Sequence, residues 1–258
     1  MARLVHTADV HLGAPLGWLG ARAEVQREQL KRTLYSVVDV AASERADCLL
    51  IAGDLFDSQS PPASDVRHAL QEFERLRAAS GTAVVILPGS HDYLGPASVY
   101  SSHRKDFARH GHVTVLGLDG RRSADFAQSG LSVRGAPPMS NRSSDHQLAG
   151  LSPDPAFAYN VAIAHGSLTT APVARDDNPI RPGDLRGWSY VALGHWHSWR
   201  DVSEGRTRAL YPGPPEIVAI DQTGAGHVAI VDIDEDGTRI KKRRVGLRTV
   251  TELDVDLT

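Results

Sequence analysis

The sequence has one cysteine in 258 residues, Cys48, so no disulfide can form within a single chain. That excludes a disulfide-stapled secreted scaffold and points to a reducing, cytoplasmic setting. Cys48 lies inside the apolar run "CLLIAG", where a free thiol reads as a core residue. Long apolar stretches are also missing, so nothing approaches the roughly 20 residues that a bilayer crossing needs. The N-terminus, "MARLVHTADV", carries one arginine and no apolar core of a leader, and no signal peptide is expected. An excess of positive charge is lacking too. The formal net charge of −3 argues against a basic nucleic-acid coat, although not against a local patch. There is no internal repeat, low-complexity tract or convincing linker, and 258 residues can bury one large core. A single domain over 1–258 is expected.

The first half alternates strands and helices. "RLVHT" (Arg3–Thr7) reads as a strand, and residues 24–43 as a helix with Leu30, Leu34, Val37, Val38 and Ala41 on one face. "CLLIAG" reads as a strand covered on both faces. A second amphipathic helix over 64–79 turns Val66, Ala69, Leu70, Phe73 and Leu76 inward. "AVVIL" (Ala83–Leu87) and "VTVLG" (113–117) complete a βαβαβ rhythm, which implies parallel pairing. In the second half short strands dominate: "LSVRG", "NVAIAH", "SYVALGH", "RALYPG" and "HVAIVDI". A hairpin around the Asp-Gly turn of "DEDG" leads into "TRIKKRRV". Polar, proline-containing loops are expected at about 136–158 and 169–186.

Five places share a feature: acid, histidine or polar residues stand just past an apolar strand. They are "ADVH" (Asp9, His11), "GDLFD" (Asp54, Asp57), "GSHD" (Ser90, His91, Asp92), "AHG" (His165) and "GHWH" (His195, His197). Strand ends of α/β sheets are where ligand sites gather. Carboxylate and imidazole without thiolate suit manganese, iron or zinc. Four histidines and two aspartates are too many for one ion and fit a pair about 3.5–4 Å apart, bridged by one carboxylate. Ser90, His91 and Asp92 do not form a nucleophilic triad, because neighbours on an extended turn point apart and no GxSxG elbow surrounds the serine.

In this order and spacing, "DVHLG", "GDLFD", "GSHD", "AHG" and "GHWH" resemble the calcineurin-like metallophosphoesterases. "HTADVHLG", "AGDLFD" and the late "YPGPPE" are similar, more narrowly, to the SbcD-type DNA repair exonucleases and their Mre-type counterparts. The resemblance implies an α/β fold, a four-layer αββα sandwich with two divalent ions at the strand ends. Manganese is the first choice, with iron, zinc or magnesium as alternatives. Asp9, His11 and His197 would hold one ion and His165 and His195 the other, with Asp54 bridging. His91 would face the phosphate as proton donor or charge stabiliser, with Asp57 hydrogen-bonded to it. Asp92 reads as a cap of the following turn. Position 90 is usually Asn in the family; Ser90 either ligates the second ion, directly or through water, or leaves it one ligand short.

The implied activity is metal-dependent hydrolysis of DNA phosphodiesters, as an exonuclease or endonuclease. The alternatives are a phosphodiesterase or phosphatase for a small ester such as a cyclic nucleotide, and a weakly active scaffold that binds DNA ends or partners. An SbcC-type ATPase partner and a homodimer are further implied. The family's nucleases continue into a DNA-capping domain, which is expected to be absent after "YPGPPE" and one hairpin. Tyr93, Arg175, Arg181 and Arg186 are candidate substrate contacts, "KKRR" (Lys241–Arg244) reads as a solvated face, and His6 as buried and hydrogen-bonded. His68, His103, His110, His112, His146 and His227 lie off the motifs and read as ordinary surface or core histidines.

Overall fold

The computed structural model describes residues 1–169 and 178–250. Its first sheet is built on three parallel strands, β1 (Ala2–Thr7), β2 (Cys48–Ala52) and β3 (Ala83–Leu87), with β4 (Val113–Val115) at one edge. The register sets Thr7 beside Ile51, and Ala52 beside Leu87. The three strands therefore stop together, and the residues that follow share one rim. The other edge carries the antiparallel pair β11 (His227–Asp234) and β12 (Gly237–Arg244), with β11 antiparallel to β1.

A second six-stranded sheet runs β5 (Ser123–Phe126), β6 (Leu131–Arg134), β7 (Tyr159–His165), β8 (Tyr190–Gly194), β10 (Arg208–Tyr211) and β9 (Arg200–Asp201). Here β7 and β8 are parallel, and His165 lies opposite Gly194.

The central strands are apolar throughout because both faces are covered. Along β2, Leu49 and Ile51 face the helices α1 (Ala23–Ser43) and α2 (Ala63–Ser80), against Leu30, Leu34 and Phe73. Cys48, Leu50 and Ala52 face the other way, into the layer between the sheets with Val133, Val161 and Ile163. Burial pushes the Cys48 thiol well up, so it is an inert core group. His6 pins the two sheets together: fully buried, it hydrogen-bonds through Nδ1 to the Tyr190 hydroxyl at 2.8 Å, and burial lowers its imidazole to about 3.

Two short helices, α3 (Val99–Ser102) and α4 (Arg104–Arg109), and the strands β5 and β9 add to the elements expected from the pattern. The outer face of the second sheet is covered, among the described residues, by loops and a 3₁₀ turn at Pro182–Leu185. Leu148, Ile180, Leu185 and Trp188 pack there on Val191 and Leu193. "KKRR" lies on the exposed strand β12, where Arg243 pairs with Glu44, Lys241 approaches Asp232 and Lys242 sits over the Trp199 ring. No helix among the described residues is long and apolar enough to cross a membrane.

Candidate functional site

The rim where β1, β2, β3, β7 and β8 end carries all five polar stretches. The backbone there is forced into the left-handed region at Asp9 (φ 55°), His11 (φ 52°), Asp54 (φ 52°) and His195 (φ 103°). Each costs local strain that the surrounding packing must overcome. Cross-loop bonds hold it: Asp9 N–H donates to the Gly53 carbonyl at 3.1 Å and His11 N–H to that of Asp54 at 3.0 Å. Two glycines permit the close approach. A Cβ at Gly53, itself at φ 89°, would lie 2.0 Å from His165 Nδ1, and one at Gly89 would lie 2.2 Å from Asp54 Oδ1.

Asp54, His165 and Ser90 form the tightest group. Asp54 Oδ2 lies 3.2 Å from His165 Nε2 and accepts from Ser90 Oγ at 3.2 Å, while Ser90 Oγ and His165 Nε2 are 3.3 Å apart. Ligands about 2.0–2.1 Å from a tetrahedral zinc-sized ion stand about 3.3 Å from one another. The triangle thus has the spacing of one face of such a shell. His165 Nδ1–H donates to the Ala52 carbonyl at 2.9 Å, which leaves Nε2 as the inward atom. His195 stacks edge-on against His165, with ring centroids 5.2 Å apart, and its backbone N–H donates to both Asp9 oxygens at 3.0 and 3.2 Å.

The second group is Asp9, His11 and His197, with ligating atoms within 4.8 Å of one another. His11 Nδ1 bonds to Asp57 Oδ1 at 3.0 Å, which fixes the tautomer and turns Nε2 inward. This corrects the expected Asp57–His91 pair. The Asp57 carboxylate serves the buried His11 and stands 3.8 Å from His91 Nδ1, which donates instead to the Asp57 backbone carbonyl at 3.0 Å.

Sequence reasoning missed Gln222. Its Oε1 accepts from Val218 N–H (2.8 Å) and Ala219 N–H (3.2 Å), so its amide N–H₂ is the group facing His197 Nδ1 at 2.6 Å. In that arrangement neutral His197 carries its proton on Nε2, 3.4 Å from His11 Nε2. Ligation through Nε2 requires that proton to leave and the carboxamide or ring to turn. A lone glutamine outside any motif gives no signal in sequence.

Asp92 is a buried latch. It reaches back to Gly89 N–H (2.7 Å) and Phe56 N–H (3.1 Å) and accepts from the Tyr100 hydroxyl (2.6 Å), tying the β2 and β3 loops together rather than capping the turn that follows. His91 is half exposed, edge-on to His11, and its backbone N–H donates to Asp54 Oδ1 at 2.8 Å. It lines an open cleft of about 390 Å³ with Asp57, His197, Trp18, Asp221 and Gln222. Among the described residues, neither Tyr93 nor any arginine or lysine lines it. Arg186 pairs with Glu204, Arg181 is exposed beside the 3₁₀ turn, and Arg175 lies outside the described residues.

The donors fit divalent ions. Two buried carboxylates face buried imidazoles, an arrangement that is costly without a cation. Burial pushes the Asp9 carboxyl up to about 7, against the pull of His165. Burial alone would lower His165, but the Asp54 charge and hydrogen bond outweigh it and raise it to about 9. Burial opposes ionisation of Asp54 as well, yet His165 and His11 hold it well below the usual carboxylate range. Burial, with His11 beside it, lowers His197 to about 3 and keeps it neutral. The His165 proton thus stands where a metal charge would serve.

A histidine raised from 6.5 to about 9 on folding contributes stability that is full below 6.5 and lost as pH rises through 9. Melting curves in EDTA should fall across that window, and Mn²⁺ should reverse the fall because its ligands must be deprotonated; a flat metal-free profile contradicts the His165 assignment. Gln222→Glu keeps an oxygen for both backbone N–H groups and offers His197 Nδ1–H an acceptor, so calorimetric titration should show Mn²⁺ binding tightened about 10-fold. Unchanged affinity would exclude His197 as an Nε2 ligand.

Comparison with known proteins agrees with the fold. The family model for calcineurin-like phosphoesterases matches residues 2–199. A DNA double-strand break repair protein Mre11 of Aeropyrum pernix is 30% identical, covering 100% of this chain and 64% of its own length. A subunit of the nuclease SbcCD of Bacillus subtilis is 23% identical over 89% of this chain and 66% of its own. The chain spans about half to two thirds of the length of such relatives. A dimetal phosphatase from Danio rerio shares the fold with a TM-score of 0.54 at 15% identity, covering 95% of this chain and 96% of that one. With its two sheets, its strand-end donors and a family match over most of its length, the chain belongs to the calcineurin-like phosphoesterases.

Proposed function

We propose that this metallophosphoesterase hydrolyses DNA phosphodiesters with two divalent ions, manganese by preference. Asp9, His11 and His197 would hold one ion, Ser90, His165 and His195 the other, and Asp54 would bridge. The observation that carries the reading is the Asp54–Ser90–His165 triangle next to the Asp9–His11–His197 group. When bound, such a pair polarises a phosphoryl oxygen and lowers the pKa of water.

The chain's own residues do the rest. Asp57 and the Ala52 carbonyl aim His11 and His165. The Asp57 carbonyl takes His91 Nδ1–H, so the ring exchanges a proton with a departing oxygen through Nε2. Trp18, exposed on the cleft wall with its indole N–H held by the Val218 carbonyl, offers a face on which a base can stack. The names of the relatives, a DNA double-strand break repair protein and a subunit of the nuclease SbcCD, support DNA as substrate and an SbcC-type subunit as partner.

One observation favours a second reading, a small phosphate ester: the described cleft residues include Asp57 and Asp221 but no arginine or lysine to grip a phosphate backbone.

The test is degradation of end-labelled linear DNA by the purified protein with Mn²⁺, beside His91→Asn and with bis-p-nitrophenyl phosphate as a generic diester. DNA should be cut, and the variant should lose about 10²-fold or more in rate. Hydrolysis of the generic diester alone would overturn the DNA reading and favour the small ester.

A further inference from the structure

A second cluster of metal-ligating side chains lies at the opposite end of the first sheet, where β4 begins rather than where β1–β3 end. Glu74, on α2, meets His110 and His112, which flank Gly111 just before Val113 opens β4. Three ligating atoms, one from each residue, lie within 4.8 Å of one another. Glu74 Oε2 is 3.4 Å from His110 Nδ1 and 4.0 Å from His112 Nδ1. A tetrahedral shell places ligands about 3.3 Å apart, so one distance already matches and the other needs a small side-chain movement.

Orientation argues for more than proximity. His112 Nε2–H donates to the Phe73 carbonyl at 3.1 Å, which leaves the Nδ1 lone pair directed to Glu74, the outer-shell bond that aims ligating imidazoles. Arg77 steadies the Glu74 carboxylate, its Nε donating to the two oxygens at 3.0 and 3.1 Å, while Oε2 keeps a lone pair for the cluster. The backbone is pinned: Val84 N–H donates to the His112 carbonyl at 2.9 Å and Val113 N–H to that of His110 at 2.8 Å. Glu74 and His110 also line a groove of about 500 Å³ between α2 and α4, so a fourth position is open to water.

We propose that Glu74, His110 and His112 bind one borderline divalent cation of the zinc class, tying the end of α2 to the entry of β4. Imidazole with carboxylate suits that class. Without a cation Glu74 keeps its ion pair with Arg77 and its Oε2 accepts a hydrogen bond from His110 Nδ1, an ion-pair and hydrogen-bond network.

The experiment is zinc per chain by elemental analysis after equilibrium dialysis at micromolar free Zn²⁺, for the full chain, Glu74→Gln and His110→Ala. Each variant should bind one ion fewer than the parent, and Mn²⁺-supported hydrolysis of bis-p-nitrophenyl phosphate should stay unchanged. Because the readout is a difference of one ion, it holds whatever number the strand-end site binds. Equal zinc content in the parent and both variants would overturn the proposal and leave the ion-pair network.

Discussion

The buried contact between Asp54 and His165 is the constraint on which the rest of the site depends. It brings together the loop after β2 and the last residue of β7, so it joins the two sheets at their rim. Asp54 also takes the His91 N–H and the Ser90 hydroxyl, which sets the loop after β3. The close approach excludes a side chain at Gly53 and Gly89, and it forces left-handed backbone at Asp54 itself. A protonated imidazole can balance this carboxylate, but the same atoms are spaced as ligands. The strain and the buried charge therefore both make sense as preparation for a cation.

Much of the fold can be read in the chain because burial imposes period. The inward faces of α1 and α2 and the apolar strands β1 to β3 follow directly from spacing. Helices α3 and α4 span four and six residues, too short to show a repeat, and β5 and β9 are short edge strands. The structure gathers every donor named from sequence at one rim, since strand-end position is itself a sequence signal. What sequence hides are partners without a motif: the Ala52 carbonyl behind His165, the carboxamide of Gln222 and the hydroxyl of Tyr100. Asp57 shows the same limit, because its pairing with His11 rather than His91 depends on side-chain directions that no spacing specifies.

The cleft beside this rim carries carboxylates and imidazoles but no lysine or arginine among its described residues. A phosphate ester bound there would depend on metal charge for its attraction, whichever substrate is native. Catalysis and substrate affinity would then share one source, and both would fail together when the ions are removed.

The most direct measurement is anomalous diffraction from crystals soaked in Mn²⁺. The account predicts two peaks about 3.5–4 Å apart with Asp54 between them, one against Asp9, His11 and His197 and the other against Ser90, His165 and His195. A single peak, or a pair that does not touch Asp54, would contradict it.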